Sequence, residues 1–168
     1  VLTLTQENPQ DWWEVEALFD LCFAPGRTAL SSYRLREDVA PLDALARIAR
    51  DETGAMAGAI RFWPVHVDGG PHGGADALLL GPVAVHPTHQ GEGLGAMLIQ
   101  GGLDAARSFG WTRVMLVGDA PYYGRFGFTR LTGVEMPPPT NPDRVLGHEL
   151  SRNAWVGVTG KVTRWTQG

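Results

Sequence analysis

At 168 residues the chain suits one domain, 1–168, and is long enough to bury a substantial core. It is 43% hydrophobic with a net charge of −4, a balance that disfavours nucleic acid as its main partner. No apolar run reaches the ~18 residues that suggest a membrane span, and the single cysteine, Cys22, excludes an internal disulfide and fits a reducing cytoplasm.

Val1-Leu2-Thr3-Leu4 is too short for a signal peptide, and residues 1–6 alternate like a short strand. Asn8 or Asp11 can cap a helix running to about Phe23, with Trp12, Val15, Leu18, Phe19 and Cys22 on one face. Ala24-Pro25-Gly26 stops it, and a weaker helix is expected over Leu30–Asp38. Leu45–Arg50 alternates as a strand, Asp51–Gly54 turns, and Ala55–Val67 returns. Residues 68–74 are too glycine-rich for regular structure. Ala77–His86 is the next strand, and Leu94, Leu98, Gly102, Ala105 and Phe109 recur at helical spacing over Gly93–Phe109. Arg113–Val117, Gly127–Leu131, Arg144–Leu150 and Trp155–Trp165 complete the strands, with a stiff proline connector at 137–142. This order predicts an α+β fold with a mixed sheet.

The most informative segment is Gly81 to Ile99: an apolar strand, a short turn, three alternating glycines and a helix. Glycine lets backbone approach a ligand closely, and a helix N-terminus offers unpaired N–H groups to phosphate. A P-loop needs Gly-Lys-Ser/Thr, and the only lysine is Lys161. Gly91-Glu92-Gly93-Leu94-Gly95-Ala96 does fit the dinucleotide pattern, but that motif puts its first glycine directly after the strand, and here Pro87–Gln90 intervene. Inside the strand, Pro82 marks an edge, a bulge or a gap, or else a strand that begins late.

Gln90-Gly91-Glu92-Gly93-Leu94-Gly95 fits the acyl-coenzyme A loop Gln/Arg-x-x-Gly-x-Gly/Ala at every fixed position, and Tyr123-Gly124-Arg125-Phe126-Gly127-Phe128 fits a downstream Tyr-x-x-x-Gly-Phe. With both motifs in order, the chain resembles the GCN5-related N-acetyltransferase (GNAT) family. The run Gly118–Phe128, the proline segment and Val145–Leu150 look like its YhbS-like bacterial subgroup. The resemblance implies a single-domain mixed sheet with helices on both faces. It also implies a parallel strand pair, ending near His86 and at Arg113–Val117, that splays to admit acyl-coenzyme A.

The implied activity is direct transfer of an acetyl group from acetyl-CoA to a primary amine, on a small molecule or a peptide, leaving coenzyme A. A binding module that holds acyl-CoA without turnover is the alternative. The resemblance gives Val83, Ala84 and Val85 to the pantetheine and acetyl carbonyl, with the Val85 N–H or a neighbour as carbonyl partner. It gives the pyrophosphate to Gly91, Gly93, Leu94, Gly95 and Ala96, and Gln90 supplies a neutral contact where many members have arginine. Glu92 is expected to point to water and serve the helix dipole.

Tyr123 is the expected general acid, since a phenol near pKa ~10 can protonate a thiolate, with Tyr122 as the neighbouring donor if the turn differs. The longer family pattern has an asparagine where this chain has Leu116. His66 and His86 are candidate bases, and Pro87 argues against a metal held by His86 and His89. Cys22 to Arg36, including Arg27 and Tyr33, occupies the region that forms one wall of the acceptor site in the family, and Phe62 and Trp63 are expected to add an aromatic one. If Arg27 reaches the cleft, it favours an acceptor with a carboxylate. A second copy of the chain, paired through Trp155–Trp165, is a candidate partner.

Overall fold

The computed structural model describes residues 2–23, 31–69 and 74–166. Its strands are β1 (Thr3–Gln6), β2 (Arg47–Arg50), β3 (Met56–Asp68), β4 (Ala75–Val85), β5 (Arg113–Val117), β6 (Thr129–Arg130), β7 (Val134–Glu135), β8 (Val145–Glu149) and β9 (Gly160–Arg164). Its helices are α1 (Trp12–Cys22), α2 (Ser31–Arg34), α3 (Leu94–Ser108) and α4 (Ala120–Gly124). The strands form one mixed sheet in the order β1-β2-β3-β4-β5-β8-β6, and β9 joins β3 beyond β2 and pairs with β7.

The two long helices cover different faces. Leu94, Leu98, Ile99, Leu103 and Ala106 of α3 pack on Ile60, Phe62, Leu78, Val114 and Leu116. Val15, Leu18 and Phe19 of α1 pack on Ile48, Met56, Ala59 and Ala84. The Arg61 guanidinium, 3% exposed, holds the region around α1 to β3. It donates to both Glu7 carboxylate oxygens at 3.0 and 2.9 Å and also to Glu16. A buried guanidinium is tolerated only with such partners.

Several local expectations change. Trp12 is one turn before Val15 on the same stripe but is 56% exposed, because the apolar cover begins at Val15. The second helix shrinks to α2, followed by turns through Asp38. The strand expected over Gly127–Leu131 is only β6, because the N–H groups of Phe126 and Phe128 both turn back to the Tyr123 carbonyl, at 2.9 and 3.3 Å. Trp155 lies in a turn and donates its indole N–H to the carbonyls of Val114 and His148 at 3.3 and 3.2 Å. Of the expected strand only β9 remains; β3 takes one edge along Lys161–Arg164, and β7 takes the other at Gly160 and Lys161.

Candidate active site

The site is made by a break in the centre of the sheet. β4 and β5 run parallel but pair only at Leu78↔Val114 and Leu79↔Met115. Beyond Leu79 they part. The ladder between β3 and β4 is interrupted at the same place: Ile60 pairs with Val83 and Phe62 with Leu80, so Gly81 and Pro82 together face Arg61. Two residues opposite one is a bulge, which bends a strand and increases its twist. Pro82 has no N–H to leave orphaned there. A Cβ on Gly81 would stand 2.6 Å from the Trp63 ring and 2.8 Å from the Arg61 carbonyl oxygen. The bulge is thus seated on Trp63.

Past the bulge the strand order is fixed again. The His86 N–H donates to the Ala57 carbonyl at 2.8 Å. Alternation along an antiparallel ladder then turns the backbone groups of Val85 and Val83 away from β3, into the gap. The Cys22 thiol donates to the Val85 carbonyl at 3.3 Å, and burial pushes its pKa up, so it stays a neutral thiol.

At one end of the gap is the glycine loop. Gly91 and Gly93 have φ of 86° and 79°, in the left-handed region that side chains resist. Gly93 precedes α3, whose first N–H groups face a concavity of about 350 Å3 lined by Val85, Gln90, Gly95, Tyr122 and Arg125 among others. The Tyr122 hydroxyl is 3.2 Å from where a Gly95 Cβ would be. The Arg125 guanidinium lies over the Tyr122 and Phe126 rings at 5.0 and 5.4 Å. Sequence reasoning passed over Arg125, although it lies inside the Tyr-x-x-x-Gly-Phe motif.

The loop is also tied to the turn between β2 and β3. His89 Nδ1 is 3.0 Å from Glu92 Oε1, and Nε2 is 3.2 Å from Asp51 Oδ2. Hydrogen bonds from Glu92 and then Asp51 hold the imidazole pKa above its ordinary value. Glu92 therefore folds back onto His89 and does not simply point to water. Among the described residues no cluster of His, Cys, Asp and Glu has the makings of a metal site.

At the other end is a cavity of about 160 Å3 lined by Tyr33, Arg36, Gly81, Pro82, Val83, Val117 and Tyr123, with Phe23 and Ser32 at its side. Asp119 accepts the Tyr122 N–H at 3.1 Å, caps α4 and so sets the direction of both tyrosines. They part company: Tyr122 faces the glycine loop and Tyr123 faces the cavity. The Tyr123 ring packs edge-on to Tyr122 and Phe128 at 5.0 and 6.0 Å, and lies against Gly118. Burial, and then the neighbouring Tyr122, raise its pKa, so the phenol is protonated at neutral pH.

Other expected residues fall elsewhere. Phe62 is fully buried on the α3 side, against Gly102, and cannot wall an acceptor. Trp63 lies beneath the site: its indole N–H donates to the Val39 carbonyl at 2.9 Å, and its ring carries Arg36 and Gly81. Tyr33 does line the cavity, and Arg27 lies outside the described residues. His66 sits at the far end of β3, 2.8 Å from Asp76 and stacked on Trp165. The His86 imidazole accepts the Thr88 N–H at 3.2 Å. Leu116 is buried in β5.

A mixed sheet with a splayed parallel pair, a left-handed glycine loop on a helix and a buried phenol defines an acyl-CoA-type transferase. The family model described as "Acetyltransferase (GNAT) family" matches residues 12–128, and the chain belongs to that family. It is 32% identical over 160 residues to YhbS of Escherichia coli (strain K12), an uncharacterised N-acetyltransferase. That match covers 93% of this chain and 92% of the relative. A crystal structure of E. coli YhbS in complex with CoA superposes with a TM-score of 0.81 at 30% identity, over 98% of this chain and 89% of that one. A GNAT family acetyltransferase from Brucella melitensis in complex with acetyl-CoA gives 0.71 at 26% identity, over 99% and 97%.

Proposed function

We propose that the protein is an N-acetyltransferase that moves the acetyl group of acetyl-CoA to a primary amine by direct attack. The observation that carries this reading is the parting of β4 from β5, with a phosphate-type loop beside one stretch of β4 and a protonated tyrosine beside the other. The pyrophosphate lies on the N–H groups of Gly91 to Ala96, beside Gln90. Arg125 lines the same concavity and supplies the positive charge that Gln90 lacks. Pantetheine runs along Val83, Ala84 and Val85, and the Val85 N–H, turned into the gap, meets the developing oxyanion.

The amine lone pair attacks the thioester carbon, a C–N bond forms, and the carbonyl π pair moves to oxygen. As that pair returns, the C–S bond breaks. The leaving thiolate takes the Tyr123 phenolic proton, and the nitrogen releases its extra proton to water, from which the phenolate recovers its own. The attacking nitrogen needs its lone pair, so the amine reacts as the free base. We assign the acid role to Tyr123 and not to Tyr122, a reading supported by Tyr123 being the one that faces the cavity.

The test is thiol release from acetyl-CoA against a panel of amines, for wild type and Tyr123→Phe together. Amine-dependent release that collapses in the variant is expected. Tight acetyl-CoA binding with no release from any amine refutes the proposal and leaves an acyl-CoA-binding module.

A further inference from the structure

The splay between β4 and β5 extends past the part that the donor strand needs. On the acetyltransferase reading, pantetheine lies along Val83 to Val85. The two strands are still apart at Pro82, Gly81 and Leu80, and they meet only where Leu79 pairs with Met115. A cavity of about 160 Å3 lies in that closed end. Leu79, Leu80, Pro82, Val83 and Val117 give it an apolar wall. Leu79 and Leu80 are otherwise buried, and Val117 is half-buried. Pro82 has no N–H, so it sets no unpaired donor in that wall.

The acyl group is the part of the donor beyond sulfur. A donor laid on β4 from the glycine loop therefore carries its acyl group past Val83, toward Leu80 and Leu79. The polar members of the described lining come from other elements: Ser32 and Tyr33 from α2, Arg36 from the turn after it, and Tyr123 from α4. They suit the amine and the leaving sulfur, and they leave the wall of β4 and Val117 to a hydrocarbon. An apolar cavity of ~150 Å3 is large enough for benzene. An acetyl group puts one methyl into such a space, and a longer chain gains the further contacts that the wall offers.

We propose that the closed end of the splay is an acyl-chain subsite, and that the donors include straight-chain acyl-CoA thioesters longer than acetyl-CoA, up to about six carbons. The proposal rests on the acetyltransferase reading and widens its donor class. The step is the same: the amine nitrogen bonds the acyl carbon, the C–S bond breaks, the thiolate takes the Tyr123 proton, and the nitrogen's extra proton goes to water. Val117 then sets the chain length, since it lines the cavity from β5, across from the donor strand.

The experiment measures calorimetric affinities, without amine, for CoA and for acetyl-, propionyl-, butyryl-, hexanoyl- and octanoyl-CoA. It adds kcat/KM for the same donors with any amine that supports release. Each buried methylene is worth roughly fourfold in affinity, so wild type is expected to bind butyryl-CoA about tenfold more tightly than acetyl-CoA. Its kcat/KM for butyryl-CoA should be at least as high. Octanoyl-CoA, too long for the cavity, should gain nothing over hexanoyl-CoA. Val117→Ala is expected to move the optimum to a longer chain and Val117→Phe to a shorter one. Unchanged affinity for CoA itself reports that each variant keeps its fold and donor site; should Val117→Phe lose it, wild type and Val117→Ala decide. Affinity that falls at propionyl-CoA, affinity still rising at octanoyl-CoA, or an optimum that the variants do not move overturns the proposal. If no amine supports release from any donor, the acetyltransferase reading fails, and the binding series alone decides the subsite.

Discussion

Gly118→Ala tests the assignment of the acid without touching its hydroxyl. Gly118 has no left-handed φ, so the backbone accepts alanine. The new Cβ, however, falls 2.6 Å from Tyr123 Cε2, 2.9 Å from Cδ2 and 3.0 Å from Leu116 Cδ1. Carbon atoms in contact sit ~3.5–4.0 Å apart, so the ring must retreat by about 1 Å. A misplacement of ~1 Å can cost ~100-fold in rate, or ~2.7 kcal/mol of barrier. We therefore expect kcat for thiol release to fall by about two orders of magnitude, with coenzyme A affinity near wild type. Overpacking also costs ~1–3 kcal/mol of stability, so rates are compared well below each melting temperature. The decisive measurement is the double variant Gly118→Ala/Tyr123→Phe. If Gly118 acts through the phenol, the double variant is no slower than Tyr123→Phe alone. Full kcat in Gly118→Ala, or a full penalty added on the phenylalanine background, would refute the reasoning.

Arg125→Gln removes an exposed cation from the phosphate concavity and is expected to weaken coenzyme A binding about fivefold, ~1 kcal/mol, with a flatter salt dependence by calorimetry. Gly91→Ala forces a side chain into a φ of 86°, costing ~1 kcal/mol or more in the loop, and should lower both melting temperature and coenzyme A affinity. Gly102→Ala puts a Cβ 2.6 Å from the Phe62 ring and should destabilise by ~1–3 kcal/mol in chemical denaturation. The His89 bridge is pH-dependent. Because its folded pKa is raised, its stabilisation is complete below ~6.5 and is lost as pH rises through the raised value. The Michaelis constant for acetyl-CoA should rise over that interval, and His89→Gln should flatten the profile. Asp51, held down to about 2 chiefly by the Thr53 hydroxyl, contributes in the opposite sense: its share is present above ~3.9 and is lost as pH falls toward 2.

What the sequence by itself determined is the local chemistry. Periodicity located α3 and β5 to within a residue, because a stripe of apolar residues at helical spacing and a short apolar run each leave one favourable conformation. The cap of α4 is likewise local, since Asp119 stands just before Pro121 and accepts the Tyr122 N–H. The spacing of Gly91, Gly93 and Gly95 with the Tyr123–Phe128 motif pointed to the family, since both motifs are short-range backbone and side-chain requirements. Only the tertiary structure decided which way residues face. Phe62 and Trp63 are adjacent in one strand and point to opposite faces: one disappears beneath α3 and the other supports the site. Pro82 was compatible with a late strand start or a bulge until pairing across β3 made it a bulge. Tyr122 and Tyr123 separate into two cavities only because a single turn of helix is anchored at a particular angle. The His89 bridge to Asp51 and the contact of Arg36 with the Trp63 ring left no mark in the sequence, because each joins segments distant along the chain. Spacing encodes contacts within a turn or a strand. Contacts between elements depend on how those elements pack, and here packing seats Arg36 over the Trp63 ring in the cavity that Tyr123 also lines.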